Sequence, residues 1–362
     1  MLDVLAYTIG WICTLSTEYL AAQQFFDEKH GQPDLRYPHD GISYFLGRVG
    51  RHNVVMAIMP AGESGTCSAA IVGTHLLRSF PNVRMALLVG IGGGAPRLPA
   101  HDIRLGDVVS IPNMGYGDVF QFDYGKSIQE RKYVHTRSLN QHPQALLIAL
   151  TGLKMRHEIN GNGLVEAVER VLKKKLKMER RYGRPSSDSD LLFESDFVHS
   201  ERNPEFEDDS TVHYGIITSG NTTMHHALIR DTLAKEHHVL CFDMEAAGLM
   251  NTIPCLVIRG IWNYSDTHVS TEWQGYAAMV AAAYAKDLLC YLVPEMNPYA
   301  QNLSTAASNS IGIDTKTMMR KMESDQQFKK NQAIKIDPSI RSLQSNKMMY
   351  YIDDDQEIFN NF

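Results

Sequence analysis

The sequence predicts an α/β domain, a sheet with helices on its faces. Short apolar runs alternate with segments of helical periodicity in the first third of the chain, the alternation resumes after about residue 210, and one apolar run ends directly in a cluster of glycines. At 362 residues the chain has room for one large domain or two ordinary ones. We read one domain over 1–296 that carries an insertion at about 113–209, followed by a disordered tail or linker over 297–362.

Val4–Leu15 reads as a first buried strand, and Ser16–Lys29 as a helix with Ser16 as its N-cap. Tyr44–Val49 and Asn53–Pro60 are β-rich runs joined by Gly50, Arg51 and His52, the pattern of a hairpin. Ser64–Phe80 is predicted as a helix and Arg84–Gly90 as a strand that runs into Gly92, Gly93 and Gly94. Later elements are strands at Val212–Thr218, Val239–Phe242 and Pro254–Ile261, and helices at Thr222–Lys235, Met244–Asn251 and Trp273–Leu292. The middle stretch contains the basic run Lys173–Arg184, read as a solvated helix with a loop after it. Beyond Asn297 the composition turns to Asn, Ser, Gln, Lys and Asp with no periodic apolar face.

Composition excludes several classes of function. Apolar residues make up 44% and charged residues 21%, as in soluble globular proteins. A net charge of -6 argues against nucleic acid as a partner. No apolar run reaches the roughly 18 residues of a membrane span, and the N-terminus lacks the pattern of a signal peptide, so a cytoplasmic protein is expected. Cys13, Cys67, Cys241, Cys255 and Cys290 are scattered among apolar neighbours without metal-ligand spacing, so no metal is expected.

Three stretches carry chemistry. Val89–Gly94 places glycines at a strand end, where a backbone without Cβ atoms approaches a ligand closely and where α/β sheets bind ligands. Its GxGxG spacing lacks the last glycine of a dinucleotide fingerprint. Phe242–Gly248 sets Asp243 and Glu245 around Met244 where a strand turns into a helix. A carboxylate there accepts hydrogen bonds from both hydroxyls of a ribose while the methionine packs on the sugar ring; the plainer role is a partner for the helix dipole. Arg259–Asp266 is a strand that ends in polar groups, which also reads as a turn cap.

Together with YTIGWICTLSTEYLAA at Tyr7–Ala22, PAGESGTCSAA at Pro60–Ala70, DIRLGDVV at Asp102–Val109 and YGIITSGN at Tyr214–Asn221, these stretches resemble the purine and uridine phosphorylase superfamily. They are most similar to its nucleosidase branch, in the form found at the N-terminus of fungal NLR-like proteins. The resemblance covers about residues 6–295. It implies a twisted mixed central sheet flanked by helices, a homo-oligomer (dimer or trimer), no cofactor, and a small-molecule nucleoside or nucleotide as ligand. Carried over position by position, Glu245 matches the ribose-binding glutamate and Met244 the methionine beside the sugar. Glu18 matches the glutamate that orients or activates water. Ile91, Gly92 and Gly93 match the lining of the base and sugar region, and Thr223 and Met224 the wall beside the purine.

One position departs from that pattern. Asn263 stands where the branch has an aspartic acid that protonates purine N7 as the glycosidic bond breaks. An amide hydrogen-bonds the base but delivers no proton, and general acid catalysis supplies roughly 10²–10⁴ in rate. Three readings are open: selection of a 6-oxopurine, a weakened enzyme serving as a binding module, or an introduced change that traps substrate. Asp266 is a candidate accessory group, with orientation of its loop as the plainer role. The phosphate-holding arginine and serine of the phosphorylases are replaced by Leu88 and Ile91. The expected activity is therefore hydrolysis of the base–sugar bond of a purine nucleoside or nucleotide. A nucleoside-binding regulatory module and a phosphate-dependent phosphorylase are the alternatives. The basic residues Lys173, Lys174, Lys175, Arg180 and Arg181 are candidates to reach a phosphate chain.

Overall fold

A computed structural model describes residues 3–33, 40–97, 100–111, 119–123, 125–128, 132–135, 142–192 and 209–294. Met1–Pro294 forms one compact unit; the tail predicted over 297–362 lies outside the described residues, as do parts of the 113–209 insertion.

The first half supplies strands β1 (Ile9–Cys13), β2 (Glu28–His30), β3 (Ser43–Val49), β4 (His52–Ile58), β5 (Met85–Gly94) and β6 (Val108–Ser110), with helices α1 (Ser16–Ala22) and α2 (Thr66–Ser79). The middle contributes β7 (Val119–Gln121), a separate hairpin of β8 (Gly125–Ile128) and β9 (Lys132–His135), and helices α3 (Gln144–Asn160), α4 (Leu164–Lys174) and α5 (Leu176–Tyr182). The last part holds β10 (Val212–Tyr214), β11 (Ile216–Ser219), α6 (Ala227–His237), β12 (Val239–Asp243), α7 (Ala246–Met250), β13 (Cys255–Asn263) and α8 (Gln274–Tyr291).

The strands form one mixed sheet in the order β10-β6-β13-β5-β1-β4-β3-β2, with β12 joined to β5 and β11 lying between β12 and β7. The central strands β4, β1, β5 and β13 run parallel, so the ends of β1, β5 and β13 reach the same rim. Strand β12 meets the last residues of β5 antiparallel, Phe242 opposite Gly93. Burial on both faces explains the near-continuous apolar runs of β1, β5 and β13. One face is covered by α8, whose small residues Ala277, Ala278, Ala281 and Ala282 let it lie close to the sheet. The other face is covered by α2 and α7 through Val72, Leu76, Leu249 and Met250.

The structure corrects several predicted elements. The run Val4–Leu15 divides into a short 3-10 turn at Val4–Ala6 and β1. The helix expected over Ser16–Lys29 ends at Ala22, with Leu15 rather than Ser16 in the N-cap position. Glu28–His30 is instead an edge strand on β3, where Phe26 packs edge-on against Phe45. Val212–Thr218 is divided at Gly215, where a Cβ would run into Leu240. The helix expected over Thr222–Lys235 starts only at Ala227. The insertion holds more than one solvated helix: α3, α4 and α5 all pack on α8. Leu146, Leu150, Leu153, Leu164, Val168 and Leu172 are buried there. Finally, the glycines after Val89 do not turn the chain; β5 continues through Gly94 with every residue buried.

Candidate functional site

The rim where β1, β5, β12 and β13 end surrounds a cavity of about 230 Å³. Glu18, Ile91, Gly92, Gly93, Thr223, Met224, Met244, Glu245 and Asn263 all line it, together with Thr14, Ser64, Asp243, Trp262 and Ser265. Asp266 does not. It is buried behind the wall, where its backbone carbonyl faces His225 Nδ1 at 3.3 Å and one carboxylate oxygen lies 3.8 Å from Arg230. The basic run is also elsewhere: Lys173, Arg180 and Arg181 border a different cleft, and the Arg181 guanidinium donates to Thr17 Oγ1 at 2.7 Å.

Glu18 sits in the first turn of α1 and serves two elements at once. One carboxylate oxygen accepts from the backbone N–H groups of Thr14 and Leu15 at 2.8 and 2.9 Å. The other accepts from Ile91 N–H on β5 at 2.8 Å. The carboxylate thus holds the helix start against the glycine strand, and it keeps acceptor capacity on the cavity side. Burial raises its pKa, against the pull of Arg259 and the three N–H donors.

A charge cluster under the cavity is the part that sequence reasoning missed. Arg259, in the middle of β13, is almost completely buried. Its guanidinium donates to Asp243 from Nη2 at 2.7 Å and from Nε at 3.1 Å, and to Glu245 at 3.2 Å. Burial opposes its charge, but Asp243, Glu245 and Glu18 outweigh that and raise its pKa. Asp243 and Glu245 therefore share one guanidinium, with the charge of Glu18 close by and all four groups largely buried. The effect falls on Glu245, whose pKa is raised to about 7, first by burial and then by the charges of Asp243 and Glu18. Gly65, at the N-terminus of α2, donates its N–H to Glu245 at 3.4 Å. The signal in the sequence was a single arginine inside an otherwise apolar strand. Among the described residues no group of His, Cys, Asp and Glu is placed to hold a metal ion.

The glycines of β5 make room for this cluster. A Cβ on Gly90 would collide with the Glu18 carboxylate and the Arg259 guanidinium. One on Gly93 would collide with Ser265 Oγ. The close approach predicted for a ligand is therefore taken up, at Gly90, by the protein's own charges.

Asn263 ends β13 with its amide fixed: Oδ1 accepts from Ser265 N–H at 2.9 Å. The NH₂ group, with no acceptor among the described residues, is left as the donor end. Thr223, in the loop ahead of α6, places its hydroxyl 3.4 Å from Met244 Sδ.

No family model matches the chain. It is 41% identical over 300 residues to a nucleotide-binding leucine-rich repeat (NLR)-like protein of Hyaloscypha variabilis; the match takes in 80% of this chain but only 30% of the relative's length. Among solved structures it is similar to the 5′-methylthioadenosine/S-adenosylhomocysteine nucleosidase of Neisseria meningitidis, in complex with methylthio-immucillin-A. The TM-score is 0.53 at 15% identity over 79% of this chain and 99% of that one. The futalosine hydrolase of Helicobacter pylori aligns with a TM-score of 0.50 at 13% identity, over 79% and 99% of the two chains. Mixed sheet, flanking helices and these matches agree: the chain has the α/β fold of these nucleosidase and hydrolase structures.

Proposed function

We propose that the chain hydrolyses the N-glycosidic bond of a purine nucleoside or nucleotide. The supporting observation is the make-up of one cavity: the carboxylates of Glu18 and Glu245 and the amide of Asn263 line it together. Glu245 accepts hydrogen bonds from the ribose hydroxyls, and Met244 packs on the sugar. Glu18 accepts a hydrogen bond from water and takes its proton as the oxygen bonds to C1′. The base leaves with the electron pair of the broken bond, and Asn263 steadies the charge by donating to N7. No cationic side chain is among the described residues that line the cavity, and Arg259 is already engaged by Asp243 and Glu245. A phosphate nucleophile would meet an excess of carboxylates over the one guanidinium, so water is the preferred nucleophile. With two donors facing the cavity, Asn263 suits a base that offers neighbouring acceptors, as a 6-oxopurine does at N7 and O6.

The test is base release from inosine, guanosine, adenosine, 5′-methylthioadenosine and ATP, with and without phosphate. Free base and the corresponding free sugar are expected without phosphate, at a low rate that Asn263→Asp raises by roughly 10²–10⁴. Phosphate-dependent appearance of ribose 1-phosphate alone would refute hydrolysis. The fixed amide of Asn263 also favours a second reading, a ligand-binding module. Saturable binding without turnover in both the natural chain and Asn263→Asp would select it.

A further inference from the structure

Two buried hydroxyls in the cavity wall are unused by this mechanism. Thr14 and Ser265 both line the cavity, and each side-chain oxygen is closed off from solvent with no hydrogen-bond partner among the described residues. Buried polar groups in native folds are nearly always paired, and an orphan costs its full desolvation. Ser265 carries a second cost. Its φ is 54°, in the left-handed region that a residue with a Cβ rarely occupies. Two costs at one residue in a cavity wall point to a role in function.

The backbone and the side chain of Ser265 separate cleanly. The left-handed turn brings its N–H onto Asn263 Oδ1 at 2.9 Å, which fixes which end of that amide faces the cavity. Glycine would hold the same turn without strain. The serine side chain adds nothing to that bond. Its hydroxyl lies against Gly93, the cavity-lining residue of β5 whose missing Cβ leaves space for it. The fold alone thus accounts for neither the residue type nor its unpaired oxygen.

We propose that Ser265 is a substrate-contacting residue that determines base specificity beside Asn263. Its backbone aims the Asn263 amide, and its hydroxyl, turned about the Cα–Cβ bond from Gly93 toward the cavity that Ser265 lines, hydrogen-bonds a polar edge group of the base next to the atom that Asn263 contacts. A hydroxyl both donates and accepts, so it serves an exocyclic oxo or amino group. The base is assigned to Ser265, and not the sugar, because Ser265 is bonded to Asn263 while Glu245 lies with Glu18 around Arg259. This role rests on the nucleosidase reading of the cavity.

Ser265→Ala and Ser265→Gly in the full chain test it, by ligand-free Tm and by calorimetric affinity for inosine, adenosine and their 2′-deoxy forms. A hydroxyl kept for the ligand predicts that neither variant lowers the ligand-free Tm. Both weaken nucleoside binding about tenfold, and equally for ribo and deoxyribo compounds. A Tm that falls in Ser265→Ala would show that the oxygen serves the fold and overturn the proposal. Unchanged affinity for both nucleosides would overturn it too, while leaving the nucleosidase reading intact. A loss confined to the ribo compounds would remove the assignment to the base. If the unaltered chain binds none of the four, both the proposal and the reading it rests on fall.

Discussion

The rim of the sheet and the face under α8 are buried to a similar degree and made of opposite materials. Under α8 the buried groups are aliphatic and aromatic, from alanine, leucine and valine to Trp11, Tyr276 and Tyr284, supplied by α3, α4, α8 and the strands. At the rim, Glu18, Asp243, Glu245 and Arg259 are each nearly excluded from solvent. An apolar interface stabilises by removing hydrocarbon from water, about 25 cal/mol per Å². A buried charge cluster gains little over an apolar equivalent and costs heavily if one member is removed. Apolar faces such as the one under α8 therefore carry the stability of the fold, while the rim holds a balance of buried charges.

The sharpest way to break this contrast is Arg259→Met. It leaves carboxylates buried without their counter-ion, and a loss of roughly 3–5 kcal/mol in urea unfolding at pH 8 is expected. The deficit should shrink at pH 5, because the unpaired carboxylates take up protons and no longer bury charge. A deficit independent of pH would mean that the cluster is not the cause. Leu153→Ala on α3 gives the opposite signature. Removal of that fully buried side chain should cost about 2–5 kcal/mol at every pH and leave nucleoside affinity unchanged.

Glu245 yields an intermediate effect with a defined sign. Its folded pKa of about 7 lies above that of the unfolded chain. The folded state therefore holds this proton more tightly, and the group's contribution to stability is present at acid pH and lost as pH rises to about 7. Ribose hydroxyls need the ionised form as acceptor, so nucleoside affinity should rise with pH, by up to about tenfold per unit below pH 7, and level off above it. Titration calorimetry from pH 5.5 to 8.5 measures this, and Glu245→Gln should flatten the profile. The smallest effect belongs to the basic run. Lys173 pairs with Glu169 in an exposed i,i+4 contact, so Lys173→Ala should change stability by less than about 0.5 kcal/mol. It should also leave the ratio of ATP to adenosine affinity as it was.

The same contrast explains what was legible in the sequence. Apolar runs such as Met85–Val89 and Cys255–Ile258 announce buried strands directly, because burial on both faces leaves no polar positions. The α4 helix went unassigned because Leu164, Val168 and Leu172 recur only at every fourth position, with charged residues between them, so its buried stripe is narrow. Glu18, Met244, Glu245 and Asn263 came from motif resemblance, since side chains this far apart in sequence meet only through strand order. Arg259 stayed unassigned for a related reason: its partners Asp243 and Glu245 lie on β12 and the turn after it, and no spacing rule links them to β13.

A crystal structure grown at pH 8 with inosine tests the central claim most directly. The ribose hydroxyls should lie within hydrogen-bond distance of the Glu245 carboxylate, with the base edge facing the Asn263 NH₂ group. A nucleoside bound outside this cavity, or with its sugar turned away from Glu245, would contradict that claim.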